Sequence, residues 1–587
     1  MTFTTRPEIV GTFGAVASTH WIASAVGMSV LERGGNAFDA AVAAAFVLHV
    51  VEPHMNGIGG DAVIMVQRRE DALPTVVCGQ GCAPARATIR EYEQRGLDRI
   101  PAEGLLAAVV PGAFGAWMAM LRDYGTITLA DALAPAIDYA RRGVPLHAGA
   151  ADSIARSAGK FNEQWPSSAE EFLANGRPLR ANQLLRRPRY ADMLERVVRE
   201  GAGATRGAQI DAAIDAFYRG FVAEHIGDFL AHEDALLAPD DMAAWSPAFE
   251  SPITYGYRGW TVCKAPTWTQ GPVLLQALAL LEGFTIAGPD AGHPDSVHLM
   301  VEAMKLALAD REVWYGDPAF FDVPMRDLLD REYNAARRQL IDESASAALR
   351  PGSPGGRTPV VPRYDTGGRG SEPLAAANAA SAARAAMPSP AREGDTCHLD
   401  VVDRWGNIVA ATPSGGWLTS SPVIPGLGFP LGTRGQMFWL QEGLASSLRP
   451  GARPRTTLTP SVALGPDGTR MAFGTPGGDS QDQWCLQFFV NVVDRGMNLQ
   501  AAIDAPYFQT NHAPDSFFPR RAEPLRLLAE DRFAASTLAD LTRRGHHVVS
   551  AGSWTLGRNC VTQWDGDGAC VRAAASARHQ QAYALGR

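Results

Sequence analysis

An α+β fold is predicted from three features of the chain: a capped, wholly apolar helix near its start, a long helical middle, and a strong strand hairpin after a low-complexity segment. The helix begins after Gly34-Gly35-Asn36 and runs through Ala37-Phe38-Asp39-Ala40-Ala41-Val42 to Leu48. Asn is a favourable N-cap, and a helix apolar on every side belongs in a core. Pro53 ends it. His54 to Asp61 is then a glycine-rich turn, and Ala62-Val63-Ile64-Met65-Val66 a buried strand. Gly57 to Gly60 follow a helix and precede a strand. That is the reverse of a phosphate loop, and no Gly-Lys-Ser/Thr closes the turn.

Residues 105–345 read mainly as helices joined by loops. Residues 295–311 are an example, with Val297, Leu299, Met300, Met304, Leu306 and Leu308 as apolar positions. Pro351 to Asp395 is rich in Gly, Pro, Ala, Ser and Arg and has almost no large apolar residues. Such a stretch cannot bury enough surface to offset its ordering entropy, so it reads as a mobile linker. A linker here is either a domain boundary or a tether that swings away once the chain is cut. Beyond it, Thr396-Cys397-His398-Leu399-Asp400-Val401-Val402 and Ile408-Val409-Ala410-Ala411-Thr412-Pro413-Ser414 are strands. The intervening Asp403-Arg404-Trp405-Gly406-Asn407 suits a type I turn closed by a glycine bulge.

The bulk composition narrows the function. Of 587 residues, 46% are hydrophobic and 20% charged, which is ordinary for a globular chain. A formal net charge of −9 with no Lys/Arg run argues against nucleic-acid or anionic-membrane partners. Seven cysteines, an odd number with no CxxC pair, suggest neither a disulfide framework nor a zinc cage. The N-terminus has no basic n-region followed by an apolar h-region. The longest apolar stretch, Ala40 to Val51, falls short of the ~20 residues that span a bilayer. The expectation is a soluble cytoplasmic protein with no cofactor and no metal.

Hairpin geometry points at Thr396. If the turn centres on Trp405, Asp403 faces Asn407 and Thr396 faces Ser414. Opposed Cβ atoms lie about 5 Å apart, close enough for two hydroxyls to bond, although a bulge can shift the register by one. The plain alternative is a Thr–Ser cross-strand pair with no chemistry. The linker changes the weight. Cutting the Asp395–Thr396 bond would give Thr396 a free α-amine with a pKa of about 8, able to act as general base for its own hydroxyl. Ser414 would orient that hydroxyl. Downstream, Pro476-Gly477-Gly478 follows the strand Met471-Ala472-Phe473 and offers backbone N–H groups for an oxyanion hole. Thr456, Thr457 and Thr459 could hold a polar substrate end or simply cap a strand.

These residues resemble the γ-glutamyltransferase family. The matching motifs are Gly35-Asn36-Ala37 with Asp39 to Ala44, Val51-Glu52-Pro53 with Gly57 to Gly60, and Pro111-Gly112-Ala113. Next come Asp310-Arg311 with Gly316-Asp317-Pro318, then Thr396-Cys397-His398 with Val401-Val402-Asp403 and Gly406-Asn407, and finally Pro476-Gly477-Gly478. They occur in order over almost the whole chain. The resemblance implies a four-layer αββα sandwich of the N-terminal-nucleophile type. It also implies one precursor that cuts itself into a large subunit, 1–395 (linker about 351–395), and a small one, 396–587, which together form a single domain. Further dimerisation of that unit is left open. By matched position Thr396 is nucleophile, Ser414 replaces a supporting threonine, and Gly477 and Gly478 form the oxyanion hole. Thr456 and Thr457 stand where a serine pair binds the glutamyl carboxylate.

Departures from the family pattern bear on the donor. Gln80 stands where the resemblance expects the glutamate-binding arginine, and a neutral amide cannot reproduce that charged fork. No acid occurs in Leu431 to Met437, where an amine-binding aspartate is expected, and Gly416 takes the place of an asparagine. The loop between Phe438 and Thr456 is short. The implied chemistry is amide hydrolysis or acyl transfer with a changed small-molecule donor, as in cephalosporin or glutaryl acylases and oxamate amidohydrolase. Arg434 is a candidate for holding a carboxylate in a new position, and Trp268, Trp417, Trp439 and Trp484 for an apolar pocket. A non-catalytic binding protein that is never processed is the competing class. A Ser/His hydrolase lacks its Gly-x-Ser-x-Gly elbow, and a metal amidase its HExxH.

Overall fold

The computed structural model describes residues 3–286, 288, 290–366 and 396–587. Two seven-stranded sheets form its centre. The first runs, edge to edge, Ile9–Gly11, Val571–Ala575, Cys560–Trp564, Arg470–Gly474, Ser461–Leu464, Trp260–Lys264 and Ile253–Tyr257. The second runs Tyr583–Gly586, Ala15–Ser18, Leu399–Val402, Ile408–Ser414, Asp61–Gln67, Thr75–Gly79 and Ala248–Glu250. Every pairing within these two sheets is antiparallel.

Side-chain alternation sends one face of each sheet inward and the other outward. Val63, Met65, Val402, Ile408 and Ala410 of the second sheet meet Cys263, Val462, Ala472 and Ala573 of the first in a shared inner core. Outward, Ile64, Val66, Leu399, Val401 and Val409 pack under the helices Ala37–Val51, Ala113–Tyr124 and Leu129–Arg142. Val262, Ala463, Met471, Phe473 and Val561 pack under Pro272–Leu281, Pro294–Trp314 and Gln481–Val493. The four-layer αββα sandwich is thus present. Strands from either side of residue 395 interleave, since Leu399–Val402 lies between Ala15–Ser18 and Ile408–Ser414.

The buried helix Ala37–Val51 forms as its sequence predicts. Asn36 and Asp39 cap each other reciprocally, and all its residues are buried. Asp39 also accepts from Thr126 N and Ile127 N, which ties the helix to the start of the next pair. The middle of the chain is less purely helical than its pattern suggests. Ala248–Glu250, Ile253–Tyr257 and Trp260–Lys264 are strands of the two sheets. Residues 351–366 of the expected linker are held rather than loose: Gly352 N donates to Asp310, Trp314 donates to Gly352 O, and Ala522 N to Asp365 O. The remainder of that linker, with Asp395, lies outside the described residues. Among the described residues no helix is long and apolar enough to cross a membrane, and all seven cysteines are free.

Candidate active site

The hairpin forms in the unshifted register. Leu399 pairs with Ala411 and Val402 with Ile408. The ladder continues outward to an isolated bridge between Thr396 and Ser414. Gly406, at φ +84°, supplies the bulge. Asp403 fixes the turn by accepting from Trp405 N and Asn407 N, and its other oxygen accepts from Ala37 N. One carboxylate therefore joins the turn of this hairpin to the start of the buried helix.

Thr396 Oγ1 donates to Ser414 Oγ at 3.2 Å, and both residues are buried. Counting back from Val402 and Ile408, which face the inner core, places both hydroxyls on the inward face of the second sheet. The next strand continues the row, because Ser414 pairs with Asp61. Gln80 follows the last ladder pair, Ala62 with Gly79, and so stands beside Asp61. A single polar row, Thr396, Ser414, Asp61 and Gln80, thus crosses four strands at one end of the sheet.

A second polar group lies one step deeper. His398 shares hydrogen bonds with Thr412 Oγ1 through Nδ1 and with Asp400 Oδ1 through Nε2, each at 2.9 Å. Burial raises the Asp400 carboxyl from its usual 3.8 to about 6, opposed by the attraction of His398. The folded chain therefore holds this proton more tightly than the unfolded one does. The stabilisation is complete below the unfolded value and disappears as pH rises through about 6, leaving a buried carboxylate that opposes folding at neutral pH. Asp400→Asn should flatten the fall in urea midpoint between about pH 4 and 6, the span from the unfolded to the folded value; parallel curves for variant and wild type would refute the assignment.

The glycine turn follows a first-sheet strand whose end abuts the hairpin that Thr396 begins. A Cβ on Gly474 would lie 2.3 Å from His398 Cε1, so the end of Arg470–Gly474 abuts the strand two residues after Thr396. Gly477 has φ +131°, and Ser480 N donates back to Gly477 O. Beyond it the chain enters a short 3₁₀ turn and the helix Gln481–Val493. Asp479 anchors this turn: it pairs with the buried Arg311 and accepts from Ser516 N and Oγ. Gln270, bonded to Arg311, donates to Gly478 O. The Asp310-Arg311 motif thereby acquires a physical role, since Arg311 positions the turn while Asp310 holds Gly352, Gln276 and Tyr333.

Thr456 Oγ1 reaches Asp61 at 3.4 Å, whereas Thr457 Oγ1 is buried with no partner. Thr459 belongs to the framework, bonded to Asp482, which pairs with Lys264. The segment Leu431 to Met437 contains no acid of its own, but the fold supplies one. Arg434 Nε donates to both oxygens of Asp61, at 3.0 and 2.9 Å. Sequence alone does not mark Asp61 as a site residue, because its role depends on strands distant in sequence. The signal available was an acid directly after a glycine-rich turn. Burial raises its carboxyl above the usual range, and Arg434 opposes that shift.

The four tryptophans do not form one pocket. Trp268 sits in the inner core and donates to Glu250; Trp439 donates to Glu312 beneath Arg520; Trp484 packs with Tyr507 and Leu556. Trp417 alone of the four lies against Arg434. Cys397, next to Thr396, faces the helical layer and donates to Glu52, and burial pushes its thiol well above the usual range. It is therefore a poor competing nucleophile. Among the described residues one trio of possible metal ligands clusters, His298, Glu302 and His546. Glu302 is paired with Lys305 and Arg350, and the two histidines bond each other at 2.9 Å.

Two facing antiparallel sheets between helical layers, with a threonine hydroxyl at the head of an inner strand, define the N-terminal-nucleophile class of amidohydrolase. The chain belongs to the γ-glutamyltranspeptidase family, whose model matches residues 23–586. It is 32% identical over 575 residues to the acylase ACY 1 proenzyme of Pseudomonas sp. (strain SE83), covering 96% of this chain and 92% of the relative. It is 30% identical over 565 residues to the glutathione hydrolase-like YwrD proenzyme of Bacillus subtilis (strain 168), covering 96% of each. A solved structure described as LmbA2991HD superposes with a TM-score of 0.93 at 49% identity, covering 100% of both chains.

Proposed function

We infer that the chain cuts itself before Thr396 and then hydrolyses or transfers the acyl group of a small amide through an ester on Thr396. The observation that carries this reading is the Thr396–Ser414 hydroxyl pair, 3.2 Å apart on the inward face of the second sheet. In self-cleavage Oγ1 attacks the carbonyl carbon of residue 395, the amide becomes an ester, and water splits that ester. The products are a carboxylate on one fragment and a free amine on Thr396.

That amine then accepts the hydroxyl proton as Oγ1 attacks the donor amide. The N–H groups of Gly477 and Gly478 hold the oxyanion. The leaving amine takes the proton, and the acyl group remains on Oγ1. Water completes hydrolysis; an amine acceptor completes transfer. Ser414 keeps the nucleophile in one rotamer. Ser414→Ala should lower kcat by on the order of tenfold or more with a smaller change in KM, as for loss of one orienting hydrogen bond. Equal kcat in steady-state assays would remove Ser414 from the mechanism. Residues 1–395 and 396–587 are accordingly read as two subunits of one domain.

The reading is tested by trapping. Processed enzyme is mixed with γ-glutamyl anilide, glutaryl anilide or oxamate, quenched in acid, and digested for mass spectrometry. A donor-derived acyl mass on the peptide beginning at Thr396 is expected. Turnover with the adduct on another residue would overturn the assignment.

A further inference from the structure

We propose that Arg434, held by Asp61, is the specificity-determining residue of the donor pocket and selects acyl groups that end in a carboxylate and carry no ammonium. The proposal rests on the acyl-Thr396 reading above and names the donor class.

The first observation is an incomplete ion pair. Arginine usually grips a carboxylate through two parallel N–H bonds. Here Asp61 straddles Nε alone, at 3.0 and 2.9 Å, and Nη1 and Nη2 are buried without hydrogen-bond partners. Arg434 is only 1% exposed. Buried donors on a cation are almost always satisfied, because leaving them bare costs a large desolvation penalty. The outer edge of the guanidinium is thus a preformed fork for a planar anion. The ring faces of Trp417 and Phe517, with centroids 5.3 and 5.7 Å from Cζ, flank it. Gln80 Oε1, beside Asp61 in the strand register, is also buried and unpartnered, as is Thr457 Oγ1, next in the chain to Thr456.

The second observation is register. Thr396, Ser414 and Asp61 lie opposite one another on adjacent strands and so share the inward face. Two strand spacings separate Thr396 from Asp61, about 10 Å. A short dicarboxylic acyl chain of about four or five carbons has the right order of length to link an ester at Thr396 to a guanidinium at Asp61. Charge then sets the selection. Both oxygens of Asp61 accept from Arg434, and one is also approached by Thr456. A donor ammonium would meet the guanidinium and not an open carboxylate.

Steady-state assays of the processed enzyme with glutaryl, glutaramyl and γ-glutamyl p-nitroanilides test the selection. The glutaryl donor should exceed its neutral carboxamide isostere by about a hundredfold in kcat/KM, the range of a charge-assisted hydrogen-bonded pair. It should exceed the γ-glutamyl donor as well. Arg434→Gln should collapse the glutaryl-to-glutaramyl ratio toward one, and Arg434→Lys, which keeps the charge without the fork, should retain part of it. A ratio near one in wild type, or a high ratio surviving Arg434→Gln, overturns the proposal. Because Arg434→Gln leaves Asp61 buried alone, the double variant Asp61→Asn/Arg434→Gln serves as the folded control. Calorimetric titration with glutarate needs no turnover, so it separates this proposal from the hydrolase reading. Binding to wild type that weakens about a hundredfold in the double variant supports the anion site. Glutarate that binds both proteins equally, or neither, sinks it.

Discussion

Thr396→Ala should purify as one uncut chain, with amide hydrolysis lower by on the order of 10⁵, as when the nucleophile of an interdependent catalytic unit is removed. The size of the effect follows from two losses at one atom. Without Oγ1 there is nothing to attack the preceding carbonyl, so the α-amine is never released. Without the same oxygen no acyl ester forms. Thr396 packs as a small buried residue at the head of a strand whose ladder begins at Leu399, so removing its hydroxyl leaves the hairpin pairing intact. Circular dichroism should be unchanged while a denaturing gel shows one band. Two bands and retained turnover would contradict the assignment.

Gly477→Ala should lower kcat by about a hundredfold or more with a modest change in KM. At φ +131° the backbone occupies a region L-residues avoid, and a Cβ there would lie 2.1 Å from Trp484 Cζ3. The ring is nearly buried and packed against Tyr507 and Leu556, so the turn must move instead. Moving the turn displaces the Gly477 and Gly478 N–H groups proposed for the oxyanion, while Arg434 lies on a different segment. Stopped-flow measurement should show acylation slowed. Wild-type kcat in this variant would mean that the oxyanion is held elsewhere.

Local signals in the sequence carried the hairpin. Asp403, Gly406 and the strands beside them determine a turn within a few residues, and counting outward reached the Thr396–Ser414 pair without help from the rest of the fold. The capped helix at Asn36 was legible for the same reason. The strands between residues 248 and 264 were less so, because they are short and lie in a helical stretch. The hairpin Ile253–Tyr257 to Trp260–Lys264 turns on Arg258 and Gly259, both at positive φ, and only Gly259 advertises that. The Asp61–Arg434 pair joins residues 373 positions apart, and no local pattern encodes it. The same is true of Arg311 and Asp479, whose motifs were visible but whose mutual contact was not.

On this mechanism, Thr396 freed at the start of a new chain supplies both nucleophile and base. Intact mass spectrometry of freshly purified, catalytically active protein reads this out. Two masses are expected, corresponding to residues 1–395 and 396–587, with Thr396 as the first residue of the smaller. A single full-length mass in active material, or a small fragment beginning at any other residue, would rule out Thr396 as the freed nucleophile.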